Sequence, residues 1–272
     1  MALTPAQPDQ QPDRWDDHVA VYEEVFEPFT LQFADAAIAR LNLAAGQRVL
    51  DVGAGSGGAA LALAERGMTV TAIDASARMC GRIKQRAGAQ NLKLAAEPMD
   101  GQALAFPDAS FDAALSVFGV ILFPDAVRGL AEMRRVTRPG GRVAVVTWTE
   151  PQAYELAGEL RAAVSALRPN QPAAGLPAQL RYREHQDFAA LFQAAGFAAP
   201  QIDVQTATLH APSARWLAAR IGFAPGMAAQ LHGLGTDREA VIERLINNLE
   251  ARFGTGPVAL GAKAFVGTAV VA

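Results

Sequence analysis

Apolar residues change their spacing near residue 45, and the change separates a helical opening from an alternating core. From Trp15 to Leu41, the positions Val19, Tyr22, Phe26, Phe29, Phe33, Ala37 and Leu41 recur every three or four residues. That is helical periodicity, with Pro28 as the break between two helices. Short β-branched runs then alternate with helical stretches. Strands are predicted within 48–57, which ends in glycines, and over 68–75, 92–98, 111–119 and 142–148. Helices are predicted over 58–67, over 76–87 with Ser76 as N-cap, and over 124–137, closed by Arg138-Pro139-Gly140-Gly141. The pattern loosens over 151–180. A helix follows over 184–197, an alternating strand over 201–210, helical sequence over 213–253 and a terminal strand over 262–272.

The core strands are apolar throughout rather than apolar on alternate residues. Strands of that kind, each followed by a helix, predict a parallel sheet covered on both faces. Right-handed crossovers then give a doubly wound sheet. Ligands of such sheets bind beyond the carboxyl ends of the strands.

Composition narrows the field. Of 272 residues, 51% are apolar and 19% charged, which excludes a disordered chain. The net charge of −3 offers no basic stripe for nucleic acid. Cys80 is the sole cysteine, so an intramolecular disulfide and a cysteine-rich zinc site are excluded. His18, His185, His210 and His232 lack ligand spacing, and no metal is expected. The opening residues do not read as a signal peptide, and no apolar run is long enough to span a membrane. A cytoplasmic protein is the expectation, with monomer and homodimer both open.

The strongest local signal is the turn after the first strand. Gly53, Gly55, Gly57 and Gly58 fit G-x-G-x-x-G between a strand and a helix, a pattern that dinucleotides and other nucleotide-like ligands share. Asp51, two residues before the first glycine, discriminates among them. A carboxylate there repels a pyrophosphate but attracts the ammonium and sulfonium of S-adenosylmethionine. Asp74 ends the second strand, 17 residues after Gly57, where an acid commonly accepts hydrogen bonds from ribose hydroxyls.

VLDVGAGSG, AIDASARM, the stretch from Asp100 to Asp112, and EMRRVTRPGGRVAVVTW together resemble class I S-adenosylmethionine-dependent methyltransferases. The ubiquinone/menaquinone-biosynthesis branch is the most similar in appearance, over roughly 45–150. The resemblance implies a Rossmann-like α/β fold. Its doubly wound, seven-stranded sheet would be mostly parallel, with helices on both faces, an antiparallel C-terminal strand and helical cap insertions. It divides the chain into a flexible tail (1–14), an N-terminal helical cap (15–44), the cofactor-binding core (45–150), substrate-cap insertions (151–182 and 211–256) and segments completing the sheet (183–210 and 257–272).

By the same resemblance, Gly53, Ala54, Gly55, Ser56 and Gly57 line the methionine portion of the cofactor, and Asp74 holds the ribose. Ala75 and Met79 flank the adenine. Asp100 accepts from its amino group, with Met99 and Gly101 beside it. Ser116, Val117 and Phe118 end the fourth strand, where cofactor and acceptor meet. The chain departs from the family twice. Glu97-Pro98-Met99-Asp100-Gly101 stands where G-D-A is usual, which makes Glu97 a rival to Asp100. Phe118-Gly119-Val120-Ile121 replaces the Asn-His or similar polar residues common in the family.

Methyl transfer from a sulfonium is an in-line displacement that needs positioning and desolvation, and a base only if the acceptor must lose a proton. No catalytic residue is assigned. Candidate bases are His18, Tyr22, His185 and His210. Tyr22, Trp148 and His210 are candidates to line the acceptor site, although Trp148 could equally pack beneath the following segment. A small, fairly apolar acceptor is expected, without nucleic acid or membrane partner. A nicotinamide-dependent oxidoreductase and a non-catalytic cofactor-binding domain are the alternatives.

Overall fold

The computed structural model of the chain describes residues 7–169 and 177–272. Its N-terminal part contains α1 (Pro12–Trp15), α2 (Val19–Val21), a π-helical turn over Tyr22–Phe26 and α3 (Glu27–Leu41). The core follows as β1 (Arg48–Val52), α4 (Gly58–Glu65), β2 (Thr69–Asp74), α5 (Ala77–Ala89), β3 (Leu94–Pro98), β4 (Phe111–Val117), α6 (Ala126–Val136) and β5 (Thr137–Trp148). The remainder is α7 (Glu155–Leu167), α8 (His185–Ala194), β6 (Gln201–Ala211), α9 (Ala214–Ala219), α10 (Pro225–Gly233), α11 (Arg238–Phe253) and β7 (Val258–Val270).

Seven strands form one sheet in the order β3-β2-β1-β4-β5-β7-β6. Neighbours from β3 to β5 are parallel, whereas β7 runs antiparallel to both β5 and β6. The chain winds outward from β1 in one direction and from β4 in the other. Right-handed crossovers therefore put α4 and α5 on one face and α6 on the opposite one. The switch between β1 and β4 is where such a sheet opens a crevice at its carboxyl edge. Phe33, Leu50, Ile73, Leu115, Ile121 and Leu130 are among the largest fully buried side chains between the layers. Each contributes about 1.5–3 kcal/mol by leaving water.

Several details differ from the sequence expectation, each for a physical reason. Pro28 does not separate two helices but sits in the first turn of α3, where its missing N–H costs nothing. The break lies earlier, in the π-helical turn. β5 begins at Thr137 rather than 142, because the Pro139-Gly140-Gly141 segment runs along the sheet with a register shift between Phe111 and Ala113. β7 begins at Val258, since β6 pairs with it along its whole length to Ala211. Helical sequence over 213–253 resolves into α9, α10 and α11, and Pro225 starts the second of these.

Of the expected flexible tail, residues 1–6 lie outside the described residues. The rest is folded: Asp9 Oδ1 accepts from the Gly226 N–H at 2.6 Å, and the Trp15 indole donates to the Asp9 carbonyl at 3.0 Å. The expected insertion over 151–182 includes 170–176, which also lie outside the described residues. α7 packs on α11, and α11 on α9. Among the described residues no helix is long and apolar enough to cross a membrane.

Candidate active site

β1 delivers the chain into a turn that only glycine can make. Gly53, Gly55 and Gly57 have φ of +69°, +57° and +92°. A Cβ on Gly53 would lie 2.9 Å from Gly119 Cα, and one on Gly57 would lie 2.6 Å from Ile83 Cγ1. The N–H groups of Gly53 and Ala54 both donate to the Ile73 carbonyl at 2.9 Å, tying the turn to β2. From the end of β2, Asp74 reaches back. Its Oδ2 accepts from Gly55 N–H and its Oδ1 from Ser76 N–H, each at 2.9 Å. Burial raises the pKa of this carboxyl, and the two N–H donors oppose the rise.

Asp51 is 1% exposed, and its Oδ2 has no hydrogen-bond partner. Burial, reinforced by the nearby charge of Asp74, pushes its pKa up to about 7. It faces a cavity of about 20 Å³ whose lining includes Tyr22, Glu27, Thr30, Gly53 and Val117. Space of that size holds about one water molecule. The Tyr22 ring lies over the turn, with its hydroxyl oxygen 3.4 Å from where a Gly55 Cβ would stand.

Glu27 was not singled out from the sequence, yet it is the most heavily bonded carboxylate of the site. It is 5% exposed. Its Oε1 accepts from Ser56 Oγ at 2.5 Å, from Gly58 N–H at 3.0 Å and from Arg86 Nη1 at 2.8 Å. Arg86 also bonds Glu27 Oε2 at 2.7 Å and donates to the Ser56 carbonyl at 2.9 Å. One turn earlier on α5, Arg82 forks onto both oxygens of Glu23 at 2.6 Å. The only sequence signals for this clasp are the four-residue spacing of Arg82 and Arg86 and a charge beside the apolar stripe of α3.

The other expected cofactor residues divide. Ser116 Oγ donates to the Val52 carbonyl at 2.7 Å and accepts from Val120 N–H at 2.9 Å, joining the ends of β1 and β4. Met79 is buried in α5 behind the Ser76 cap, whereas Ala75 is exposed. Met99 donates its N–H to the Asp74 carbonyl at 3.0 Å. Asp100 is exposed and folds onto Gln102 N–H at 2.9 Å, and Glu97 is exposed on β3, so neither joins the cavity. Gly101 is buried under Phe123 and Val52. Gly119, not singled out from the sequence, abuts Gly53; a Cβ there would lie 2.8 Å from the Val52 carbonyl oxygen.

Rings occupy the ends of β4 and β5. Phe118 has φ +59°, a left-handed conformation that costs a non-glycine residue about 1–3 kcal/mol. It stacks on Trp148 at 4.0 Å, and Trp148 stacks on Tyr154 at 5.1 Å with the rings 4° from parallel. Phe29 and Phe33 pack around the same indole. Trp148 is 3% exposed and lines no part of the cavity beside Asp51, and Tyr154 Oη is buried without a partner.

Of the candidate bases, only Tyr22 borders the cavity. His210 is exposed on β6, His18 Nδ1 sits 2.7 Å from the Arg14 carbonyl oxygen, and His185 packs edge-on to Phe265. Among the described residues no group of three His, Cys, Asp or Glu could hold a metal ion.

Residues 49–141, the span holding the turn, Asp51, Asp74 and Ser116, match a family model described as a methyltransferase domain. Over that span the chain is similar to methyltransferase domains. An uncharacterized protein of Mycobacterium tuberculosis is 35% identical over 168 residues, covering 62% of this chain and 59% of that protein. The demethylmenaquinone methyltransferase of Deinococcus radiodurans is 42% identical over 107 residues, 39% of this chain and 44% of that enzyme. The match thus spans about three fifths or less of these relatives' length. The YcgJ protein of Bacillus subtilis has the same fold, with a TM-score of 0.59 at 23% identity over 87% of this chain and 97% of that one. The matched span runs from β1 to the start of β5; Tyr22, Glu27 and the rings of α3 lie outside it.

Proposed function

We propose that the chain binds S-adenosylmethionine at the glycine turn and transfers its methyl group to a small, fairly apolar acceptor. The observation that carries this reading is the unpaired, buried Oδ2 of Asp51, a residue that lines the cavity beside Gly53. A cation there would relieve the desolvation of that carboxylate, whereas a diphosphate would add to the charge of Asp51, Asp74 and Glu27. The donor and acceptor set fits an aminoacyl, ribose-bearing ligand. The space admits one only when the Tyr22 segment moves outward, because cofactor pockets usually exceed about 300 Å³.

On this reading Gly53 to Gly57 and Asp51 hold the aminoacyl end. Asp74 exchanges its bonds to Gly55 and Ser76 for ribose hydroxyls. Ala75, Met79, Met99, Asp100 and Gly101 surround the base. Ser116, Val117 and Phe118 stand toward the acceptor. When bound, S-adenosylmethionine supplies an electrophilic methyl group. The protein's part is orientation and exclusion of water, and the rings from Phe118 to Tyr154 serve the second. The cap segments 151–182 and 211–256 complete the acceptor surface. A cytoplasmic location accords with the lone thiol of Cys80.

Isothermal titration with S-adenosylhomocysteine, S-adenosylmethionine and NAD tests the ligand. The first two bind and NAD does not; nicotinamide binding without sulfonium binding reverses the reading. Asp74→Ala weakens S-adenosylhomocysteine by about 1–3 kcal/mol through orphaned polar groups, and an unchanged dissociation constant removes Asp74 from the ribose site. One observation favours a second reading, binding without transfer: rings rather than polar groups close β4 and β5. Labelled methyl transfer into a metabolite extract separates the two.

A further inference from the structure

G-x-G-x-x-G turns followed by a helix ordinarily serve diphosphates, because free N–H groups of the turn and helix start point at the ligand. This turn has the N–H groups of Gly53, Ala54, Gly55, Gly57 and Gly58 engaged by its own chain. Gly53 and Ala54 give theirs to Ile73, and Gly57 gives its own to Ala54. Gly55 donates to Asp74, and Gly58 donates to Glu27. The Ser56 hydroxyl and Arg86, two further groups that suit an anion, are also bonded to Glu27. A buried carboxylate thus sits at the start of α4 on three donors, where a phosphate oxygen would otherwise find them.

We infer that Glu27 is a built-in anion that determines ligand class, excluding diphosphate ligands from the start of α4, where the Ser56 hydroxyl, the Gly58 N–H and Arg86 converge. Its position in α3, outside the span matched by the family model, makes this part of the exclusion a property of the N-terminal segment, added to the bonds the turn makes with Ile73, Ala54 and Asp74. Arg86 is what keeps the charge in place. Its side chain is 18% exposed, against 7% for Glu27, and it bridges Glu27 to the Ser56 carbonyl. Neutralising Glu27 leaves Arg86, Ser56 Oγ and Gly58 N–H converging on a site without an anion.

The test is binding of inorganic pyrophosphate to the full chain, read by titration calorimetry on wild type, Glu27→Gln, Glu27→Ala and the double variant Glu27→Gln/Arg86→Met. Removing a like charge from the site should tighten pyrophosphate by about tenfold or more in both single variants, and the double variant should lose that gain. The inference fails if wild type binds pyrophosphate as tightly as either variant. It also fails if the variants melt cooperatively yet gain nothing, or if the gain survives Arg86→Met. Should substitution at Glu27 prevent folding, the amide signal of Gly58 in labelled wild type decides. It stays in place under millimolar pyrophosphate if Glu27 holds the site, and movement overturns the inference. Titrating S-adenosylhomocysteine into wild type separately tests the methyltransferase reading, so the two can fail independently.

Discussion

The carboxyl edge of the sheet has two halves of opposite chemistry. At the ends of β1 and β2, carboxylates of Asp51, Asp74 and Glu27 surround a glycine turn, and two of the three are bonded to its backbone. At the ends of β4 and β5, Phe118, Trp148 and Tyr154 stack face to face, and the one hydroxyl among them has no partner. The polar half is held by directional bonds at short sequence separation and by one long-range clasp. The aromatic half is held by burial. The first can recognise a ligand by charge, and the second can only exclude water and select by shape.

The difference predicts unequal responses to substitution. Trp148→Ala should have the largest effect, a loss of about 3–5 kcal/mol in urea unfolding from cavity formation, with no change in the pH dependence of stability. A loss below about 1 kcal/mol would mean that the rings are not a packed unit.

Asp51→Asn sharpens the comparison from the polar side. The folded pKa of Asp51, about 7, lies above its unfolded value. The folded state therefore binds the extra proton, and the contribution of this group to stability is fully present in acid and declines as pH rises toward 7. A cation placed on Oδ2 favours the ionised form, so S-adenosylmethionine affinity should rise with pH up to about 7, by no more than about tenfold per pH unit, the one-proton limit. Asp51→Asn should flatten that slope, measured by calorimetry from acid to neutral pH. A wild-type affinity independent of pH would separate Asp51 from the ligand.

The smallest expected effect is Tyr154→Phe. Removing a buried hydroxyl without a partner should shift stability by within about 1 kcal/mol, toward stabilisation. A marked loss in urea unfolding would reveal a bond to that hydroxyl.

What could be read in advance follows the same division. β1 to β4, the glycine turn and the Ser76 cap are legible because their signals are local: unbroken apolar runs, glycines at forced dihedrals, a hydroxyl three residues before the N–H it accepts. Glu27 was not legible, since its donors Ser56, Gly58 and Arg86 lie 29, 31 and 59 residues away. The apolar spacing runs through the π-helical turn over Tyr22–Phe26 without interruption, so the proline alone set the expected break at Pro28. Trp148 admitted two readings because a ring after a strand can line a pocket or fill a core, and only Phe118 and Tyr154 on its two faces decide. Pro139-Gly140-Gly141 read as punctuation, yet pairing along β4 and β7 carries it into β5.

Tyr22 and Glu27 reach the site from upstream of the span that matches the family model, and this has a practical corollary. A fragment trimmed to residues 49–141 would keep every letter of the nucleotide signature while shedding its counter-charge and its aromatic cover. Ligand screens on such a fragment would then report the appetite of a generic phosphate loop, and choosing where to cut would amount to choosing the specificity.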